Sequence, residues 1–341
     1  MLAALGVAAC GSTSSKTGSS SVGSASTLIG AGSTLVAPLM SQWQPAYDTA
    51  TKVAITYGAI GSGGGIEQIT ARTVNFGASD APLTSSQEAA CKGCLEIPWA
   101  MAAVDVAYHV TGVASGLHFT GPVLADIWLG KITKWNDPAI QKLNPGVKLP
   151  STTIQPVHRT DGSGDTFAFT NYLSKVSPTF KSKVGNATTV AWPGGLGGKG
   201  NSGVGGVLSS TNGAIAYITA AYVVENKFDY GLVQNAVGKY PTPGVSTIEA
   251  AAAALKSLPS GGTEGASMTD PPASAPNAYP ISTFTYVLVP KTGESAAVSA
   301  AMKKFIAWAI TTGQAAGPKL EFAPLPSAVV SADKADINLI Q

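Results

Sequence analysis

The octapeptide Arg159-Thr160-Asp161-Gly162-Ser163-Gly164-Asp165-Thr166 sets one guanidinium beside a run of small residues. Val157 reads as the end of a short strand, and Phe169, Tyr172, Leu173 and Val176 recur at the i, i+3, i+4, i+7 spacing of an amphipathic helix. The turn between them therefore presents free backbone N–H groups. A helix start carries four unpaired N–H donors and roughly half a positive charge, which favours an anion, and Arg159 adds a planar two-pronged donor. Gly162 and Gly164 let the backbone approach a ligand with no Cβ in the way.

Three further segments repeat the pattern of strand, small-residue turn and helix. In Leu28-Ile29-Gly30-Ala31-Gly32-Ser33-Thr34-Leu35, followed by Leu39, Trp43 and Tyr47 on one helical face, Thr34 is expected at or near the N-cap. The alternating run Val53 to Tyr57 leads into Gly61-Ser62-Gly63-Gly64-Gly65, with Ile66 and Ile69 opening a helix. In Val74-Asn75-Phe76-Gly77-Ala78-Ser79-Asp80-Ala81-Pro82 an acidic residue occupies the turn after a strand. Each turn alone is an ordinary connector. Together they offer hydroxyls, amides and one arginine, a donor set suited to a tetrahedral oxyanion, whereas Asp80 and Asp165 repel a fully ionised one. A hydrogen on the anion resolves the conflict. Phosphate near neutral pH keeps an O–H and can donate to a carboxylate, while sulfate has none, and a buried acceptor rejects an analogue lacking the matching hydrogen by roughly 10⁴- to 10⁵-fold.

Gly-Ala-Gly-Ser-Thr at 30–34, Gly-Ser-Gly-Gly-Gly at 61–65, Gly-Ala-Ser-Asp-Ala-Pro at 77–82 and Asp-Gly-Ser-Gly-Asp at 161–165 resemble, in order, the motifs of the periplasmic phosphate-binding proteins of Pst-type ABC transporters. Leu129 to Asp137, the Gly-Leu-Gly-Gly-Lys-Gly-Asn run at 195–201, and Phe305 with Trp308 extend the resemblance over nearly the whole mature chain. It implies a two-lobed α/β fold of the type II periplasmic-binding-protein class, with two crossover strands and the ligand in the cleft between lobes. By position it makes Thr34 a hydroxyl donor, Leu35 a backbone donor and Ser62 a donor through hydroxyl and amide. Asp80 is then the proton-accepting carboxylate, Arg159 the charged ligand and Asp161 its supporting salt-bridge partner. Ser163 and Gly164 line the helix entrance. Asp165 departs from the threonine of many relatives and resembles the actinobacterial-type members; it either contacts the anion directly, the favoured reading, or caps the helix.

Length, composition and the N-terminus fit an exported binder. The 341 residues suffice for two lobes with separate cores, charged residues make up 12%, and the net charge is +2 with no basic run, so no nucleic-acid partner is expected. Apolar stretches are broken by Asp105 or by Glu249 and Lys256, short of the ~20 residues that span a bilayer. Met1 to Ala9, a partial signal peptide at 1–10, ends in Val7-Ala8-Ala9-Cys10, which resembles a lipobox with lipidation at Cys10. Residues 11–26 are Gly-, Ser-, Thr- and Ala-rich and read as a flexible linker. The expectation is a monomeric receptor, anchored outside the cytoplasm, in the periplasm or at the cell surface, by lipid alone and serving an ABC permease. In that oxidising setting Cys91 and Cys94 are expected to form a local disulfide.

Rival chemistries find little purchase. Gly195-Leu196-Gly197-Gly198-Lys199-Gly200 formally fits a dinucleotide fingerprint but follows Trp192-Pro193 instead of an early strand, and reads as a mobile surface loop. No P-loop is present. His109, His118 and His158 lack metal-ligand spacing, no GxSxG elbow occurs, and neither a cofactor nor a metal nor catalysis is expected. A receptor for sulfate or molybdate, and a phosphatase using Ser163, are the alternatives. Ala103-Val104-Asp105-Val106-Ala107-Tyr108 and Phe284-Thr285-Tyr286-Val287-Leu288-Val289 are the expected crossover strands, dividing the chain into 27–105 plus 284–341 and 106–283.

Overall fold

The computed structural model describes residues 25–255, 257 and 267–341, so Cys10 and most of the expected linker lie outside the described residues. The strands in chain order are β1 (Thr27–Gly32), β2 (Ala54–Ala59), β3 (Phe76–Ser79), β4 (Cys94–His109), β5 (His118–Phe119), β6 (Gln155–Arg159), β7 (Leu196–Gly198), β8 (Ala214–Thr219), β9 (Asp229–Val233) and β10 (Ser282–Pro290). The helices are α1 (Ala37–Thr51), α2 (Ser62–Thr70), α3 (Ser85–Cys91), α4 (Gly121–Trp128), α5 (Pro138–Leu143), α6 (Gly164–Val176), α7 (Pro178–Lys183), α8 (Gly200–Ser210), α9 (Ala220–Asn226), α10 (Val245–Ala253), α11 (Ala296–Ala309) and α12 (Ser327–Ile337). None is long and apolar enough to cross a membrane.

The sheet runs β2-β1-β3-β10-β4-β8-β6-β7, with β9 pairing β4 and β5. β1 lies parallel to β2 and β3, and β6 lies parallel to β7 and β8. β4 joins the two halves by changing partner: residues 94–103 pair antiparallel with β10, and 104–109 with β8. Every residue from Leu95 to Tyr108 is buried, as expected of a strand covered on both faces. The returning chain crosses at the same level, where the Val104 N–H donates to the Ile281 carbonyl at 2.9 Å and the Tyr279 hydroxyl donates to the Val104 carbonyl at 3.2 Å. β10 follows directly and pairs only within the first half, with β3 and β4.

The predicted apolar faces pack where the spacing puts them. Leu39, Trp43 and Tyr47 of α1 are buried, and Tyr47 meets Phe305 and Trp308 of α11 edge-on at ring separations of 5.0 and 5.2 Å. Phe169, Tyr172 and Leu173 of α6 are likewise buried, Phe169 stacking on Tyr217 of β8 at 4.7 Å. The glycine run at 195–200 is not a surface loop. It forms edge strand β7 and the start of α8, and a Cβ on Gly198 would lie 2.5 Å from the Val204 nitrogen, so glycine there permits the close strand–helix approach.

On α12 the Asp333 carboxyl is fully buried and both of its oxygens lack a hydrogen-bond partner among the described residues. Burial, with the neighbouring Asp336 charge, pushes it up to about 8 from the ordinary 3.8. Because the folded value lies above the unfolded one, the protonated form favours the fold, and that stability drains away as pH rises from about 4 through about 8. Asp333→Asn is therefore expected to stabilise the protein at pH 9 by about 1–3 kcal/mol, visible as a Tm several degrees higher, and to change little at pH 4. Scanning calorimetry at the two pH values checks this.

Candidate functional site

The four predicted turns meet at the carboxyl ends of β1, β3 and β6 and the N-termini of α2 and α6, the place where α/β sheets gather ligand-contacting groups. Thr34, Leu35, Ser62 and Asp80 come from the first half; Arg159, Ser163, Gly164 and Asp165 come from the second. All eight are buried, none above 5% exposed where a side chain carries the chemistry. Asp161 is half-buried beside them.

Hydroxyl capping sets the local geometry. α1 begins at Ala37 with Val36 as its cap, so Thr34 is not the N-cap that the sequence suggested. No side chain caps α1; Ser33 instead braces the turn ahead of it, its Oγ accepting from the Leu35 and Val36 N–H groups at 3.0 and 3.3 Å. Its own hydrogen faces both Asp80 oxygens, at 2.7 and 2.6 Å. At α6 the N-cap is Ser163, whose Oγ accepts from the Thr166 N–H at 3.2 Å, which fixes the Gly164 and Asp165 amides at the helix entrance.

The halves are drawn together by hydrogen bonds across the gap. The Gly164 N–H donates to Ser62 Oγ at 3.1 Å and the Gly63 N–H to the Gly162 carbonyl at 2.9 Å. Gly164 lies so close to β3 that a Cβ on it would stand 2.4 Å from the Asp80 Cβ. Asn201, at the start of α8, donates from Nδ2 to Thr34 Oγ1 at 3.1 Å.

Arg159 ends β6 with its side chain inside the cluster. Its Nε donates to Asp161 Oδ1 at 2.8 Å, one terminal nitrogen to Asp161 Oδ2, and the other to Asp165 Oδ2 at 2.7 Å. The expected Arg159–Asp161 pair is thus two-pronged. Burial opposes the guanidinium charge, but the Asp161 and Asp165 carboxylates outweigh it and hold its pKa above the ordinary range. Burial also works against the Asp161 charge, yet Arg159 and the Gly200 N–H keep that carboxyl below its ordinary value. The Asp165 carboxylate accepts from Arg159, from Asn201 Nδ2 at 3.0 Å, from Thr219 Oγ1 at 2.7 Å and from Ser163 Oγ at 3.4 Å.

Asp80 stands apart, because no cation among the described residues touches it. Burial first, then the Asp165 charge, raise its pKa to about 7, while hydrogen bonds from Ser33 and Thr285 and the Arg159 charge pull it down. One guanidinium facing three carboxylates gives the cluster no net positive charge. What it can hold is a small oxyanion gripped chiefly by neutral N–H and O–H dipoles, with Asp80 positioned to share a hydrogen with it.

Ser33, Asn201 and Thr219 belong to this cluster although sequence reasoning assigned them no role. Thr219 was findable, since Ala214 to Thr219 is an apolar strand ending in a hydroxyl before a helix. The histidines lie elsewhere: His118 stacks on Tyr240, His158 on Trp192, and His109 Nδ1 meets the Leu208 carbonyl. Cys91 and Cys94 are disulfide-bonded between α3 and β4.

Residues 14–312 match the family model described as the PBP superfamily domain. A phosphate-binding protein PstS of Xylella fastidiosa strain Temecula1 is 44% identical over 296 residues, covering 86% of this chain and 80% of the relative. The phosphate-binding protein PstS of Pasteurella multocida is 38% identical over 294 residues, covering 86% and 84%. In three dimensions the fold is similar to a solved phosphate-binding protein from Stenotrophomonas maltophilia, with a TM-score of 0.69 at 19% identity over 91% of this chain and 93% of the other.

Proposed function

The chain belongs to the PstS family of phosphate-binding proteins within the PBP superfamily, and on that premise we propose that it is the inorganic phosphate receptor of an ABC importer, without catalysis of its own. The observation that carries this reading is Asp80: a buried carboxyl, without a cation contact among the described residues, set among hydroxyl and amide donors where the two halves of the sheet meet. Thr34, Leu35, Ser62 and Asp80 would bind from one lobe, and Arg159, Ser163, Gly164 and Asp165 from the other. Asp161 supports Arg159. Because four protein donors already occupy the Asp165 carboxylate, its contribution is the backbone N–H at the α6 entrance, with the side chain bracing Arg159, Asn201 and Thr219.

Contacts drawn from both lobes give phosphate a higher affinity for the closed arrangement than for an open one, which is what drives closure. The lobes are proposed to divide at 105/106 and 283/284. Lipidation at Cys10, a tether over 11–26, attachment to the membrane by that lipid alone and a monomeric state complete the proposal: a receptor tethered outside the cytoplasm within reach of its permease. Isothermal titration with phosphate and sulfate at pH 7.5 tests the function. Binding of phosphate at least about 10³-fold tighter than sulfate supports it. Tight sulfate binding, or none of phosphate, overturns it. Cys91→Ser should leave phosphate affinity within about twofold in the same titration, because the bridge closes a very short loop and constrains little.

A further inference from the structure

We propose that Asn201 is a positioning residue that makes Thr34 an obligate hydrogen-bond donor, and does so only when the two lobes are closed. The inference rests on the phosphate reading above and adds a residue to it. Thr34 lies in the first half after β1, whereas Asn201 lies in the second half at the second position of α8. Both are buried, Asn201 completely.

Asn201 reaches Thr34 Oγ1 twice, with its backbone N–H at 3.2 Å and its side-chain Nδ2 at 3.1 Å. A hydroxyl oxygen has two acceptor lone pairs and one hydrogen. The Asn201 backbone N–H fills one lone pair and Nδ2, whose two hydrogens are shared among Thr34 Oγ1, Asp165 Oδ2 and Thr219 Oγ1, faces the other, so the Thr34 hydrogen is left to donate, and it donates to none of the described residues. The orientation of the Asn201 amide is fixed independently. Nδ2 also points at Asp165 Oδ2 at 3.0 Å and Thr219 Oγ1 at 3.1 Å, while Oδ1 accepts from the Thr219 N–H at 3.4 Å. The flipped amide would set its oxygen against an Asp165 oxygen that already accepts from Arg159, and its NH₂ against the Thr219 N–H.

The consequence is a polarity switch tied to closure. With the lobes apart, the Thr34 hydroxyl loses both Asn201 contacts and can accept or donate. With them together it can only donate, which suits a bare oxyanion oxygen and disfavours a ligand atom carrying a hydrogen at that position. Asp80 thus takes the ligand's hydrogen and Thr34 refuses it, so the two residues together orient the anion.

A double-mutant cycle on the whole protein, read by calorimetric titration with inorganic phosphate, tests this. Asn201→Ala should weaken binding roughly 10- to 100-fold in the otherwise native chain. In a Thr34→Val background the same change should cost less than about threefold, and in a Thr34→Ser background it should cost what it does in the native chain. Asn201→Asp keeps the size but sets a carboxyl against Asp165 Oδ2 as well as Thr34; the Asp165 carboxyl disfavours its ionisation, and once ionised it draws the Thr34 hydrogen to itself. Its loss relative to the native protein should be larger at pH 8 than at pH 5, where a protonated carboxyl can still donate. Equal losses from Asn201→Ala with and without the Thr34 hydroxyl, or a loss from Asn201→Asp that does not change with pH, would overturn the proposal. Failure of the unmutated protein to bind phosphate would instead overturn the functional reading on which it rests.

Discussion

Gly164→Ala is expected to weaken phosphate binding by roughly 10²-fold or more while leaving the ligand-free protein folded. The new Cβ would stand 2.4 Å from the Asp80 Cβ and 2.6 Å from its Oδ2, distances at which one lobe must move away from the other. The clash is between halves of the sheet and not within one, so an open arrangement relieves it. Alanine is also comfortable at the first turn of α6, where Gly164 has no positive φ to lose. Titration with phosphate reads the first effect, and the thermal midpoint without phosphate reads the second. Retained affinity would show that closure does not bring Gly164 against Asp80; a large drop in the midpoint of the free protein would show that the contact belongs to the fold itself.

Asp80→Asn is expected to relax specificity more than it weakens phosphate binding. The amide keeps one oxygen that can accept a ligand hydrogen, so phosphate affinity should fall by about tenfold or less. It also gains an NH₂, and replaces a charge that repels a bare oxyanion oxygen with a donor that welcomes it. Sulfate affinity should therefore rise by roughly 10²- to 10³-fold. Acid should achieve the same end reversibly in the native protein. Closed Asp80 has its pKa raised to about 7 by burial and the Asp165 charge, against an ordinary 3.8. Binding a bare sulfate oxygen beside Asp80 then requires a proton on that carboxyl, so sulfate affinity should climb by about tenfold for each unit that pH falls toward about 7 and level off below it. Paired sulfate titrations across pH on the native and Asp80→Asn proteins check both statements, because the variant should show no such slope. Sulfate binding that stays weak in Asp80→Asn would mean that another group excludes it.

The turns around the cluster were legible because each joins two strong signals, an apolar strand and a helix with its own period, through residues too small to belong to either. Ser62, Asp80, Arg159 and Ser163 fall where that pattern puts them. The misplaced cap at α1 has a simple physical source. Ser33 and Thr34 are adjacent hydroxyls, and only the path of the backbone decides which one turns back to the Leu35 and Val36 amides. Asn201 was hidden for a different reason. β7 spans Leu196–Gly198, too short to show a period, and its glycines mimic a loop although they serve close packing against α8. Asp333 was illegible altogether, since a charged residue in a mixed helix gives no sign in sequence that it will be fully buried.

The bracing of Arg159 explains how a cluster with more carboxylates than cations can still receive an anion. Asp161 and Asp165 hold the guanidinium in place from two sides, so in the proposed site it would meet a ligand already oriented, with Ser62, Thr34 and the α6 amides as the uncharged donors. The proposed site would thus select by hydrogen position and not by charge.

The central claim is that this closed gap holds an oxyanion through donors on both lobes and returns one hydrogen to Asp80. A crystal structure of the protein grown with inorganic phosphate tests it most directly. Phosphate is expected between the lobes, within hydrogen-bond distance of Asp80, Arg159, Ser62 and the Gly164 amide. Phosphate bound elsewhere on the molecule, or in the gap with Asp80 and Arg159 turned away from it, would contradict the account.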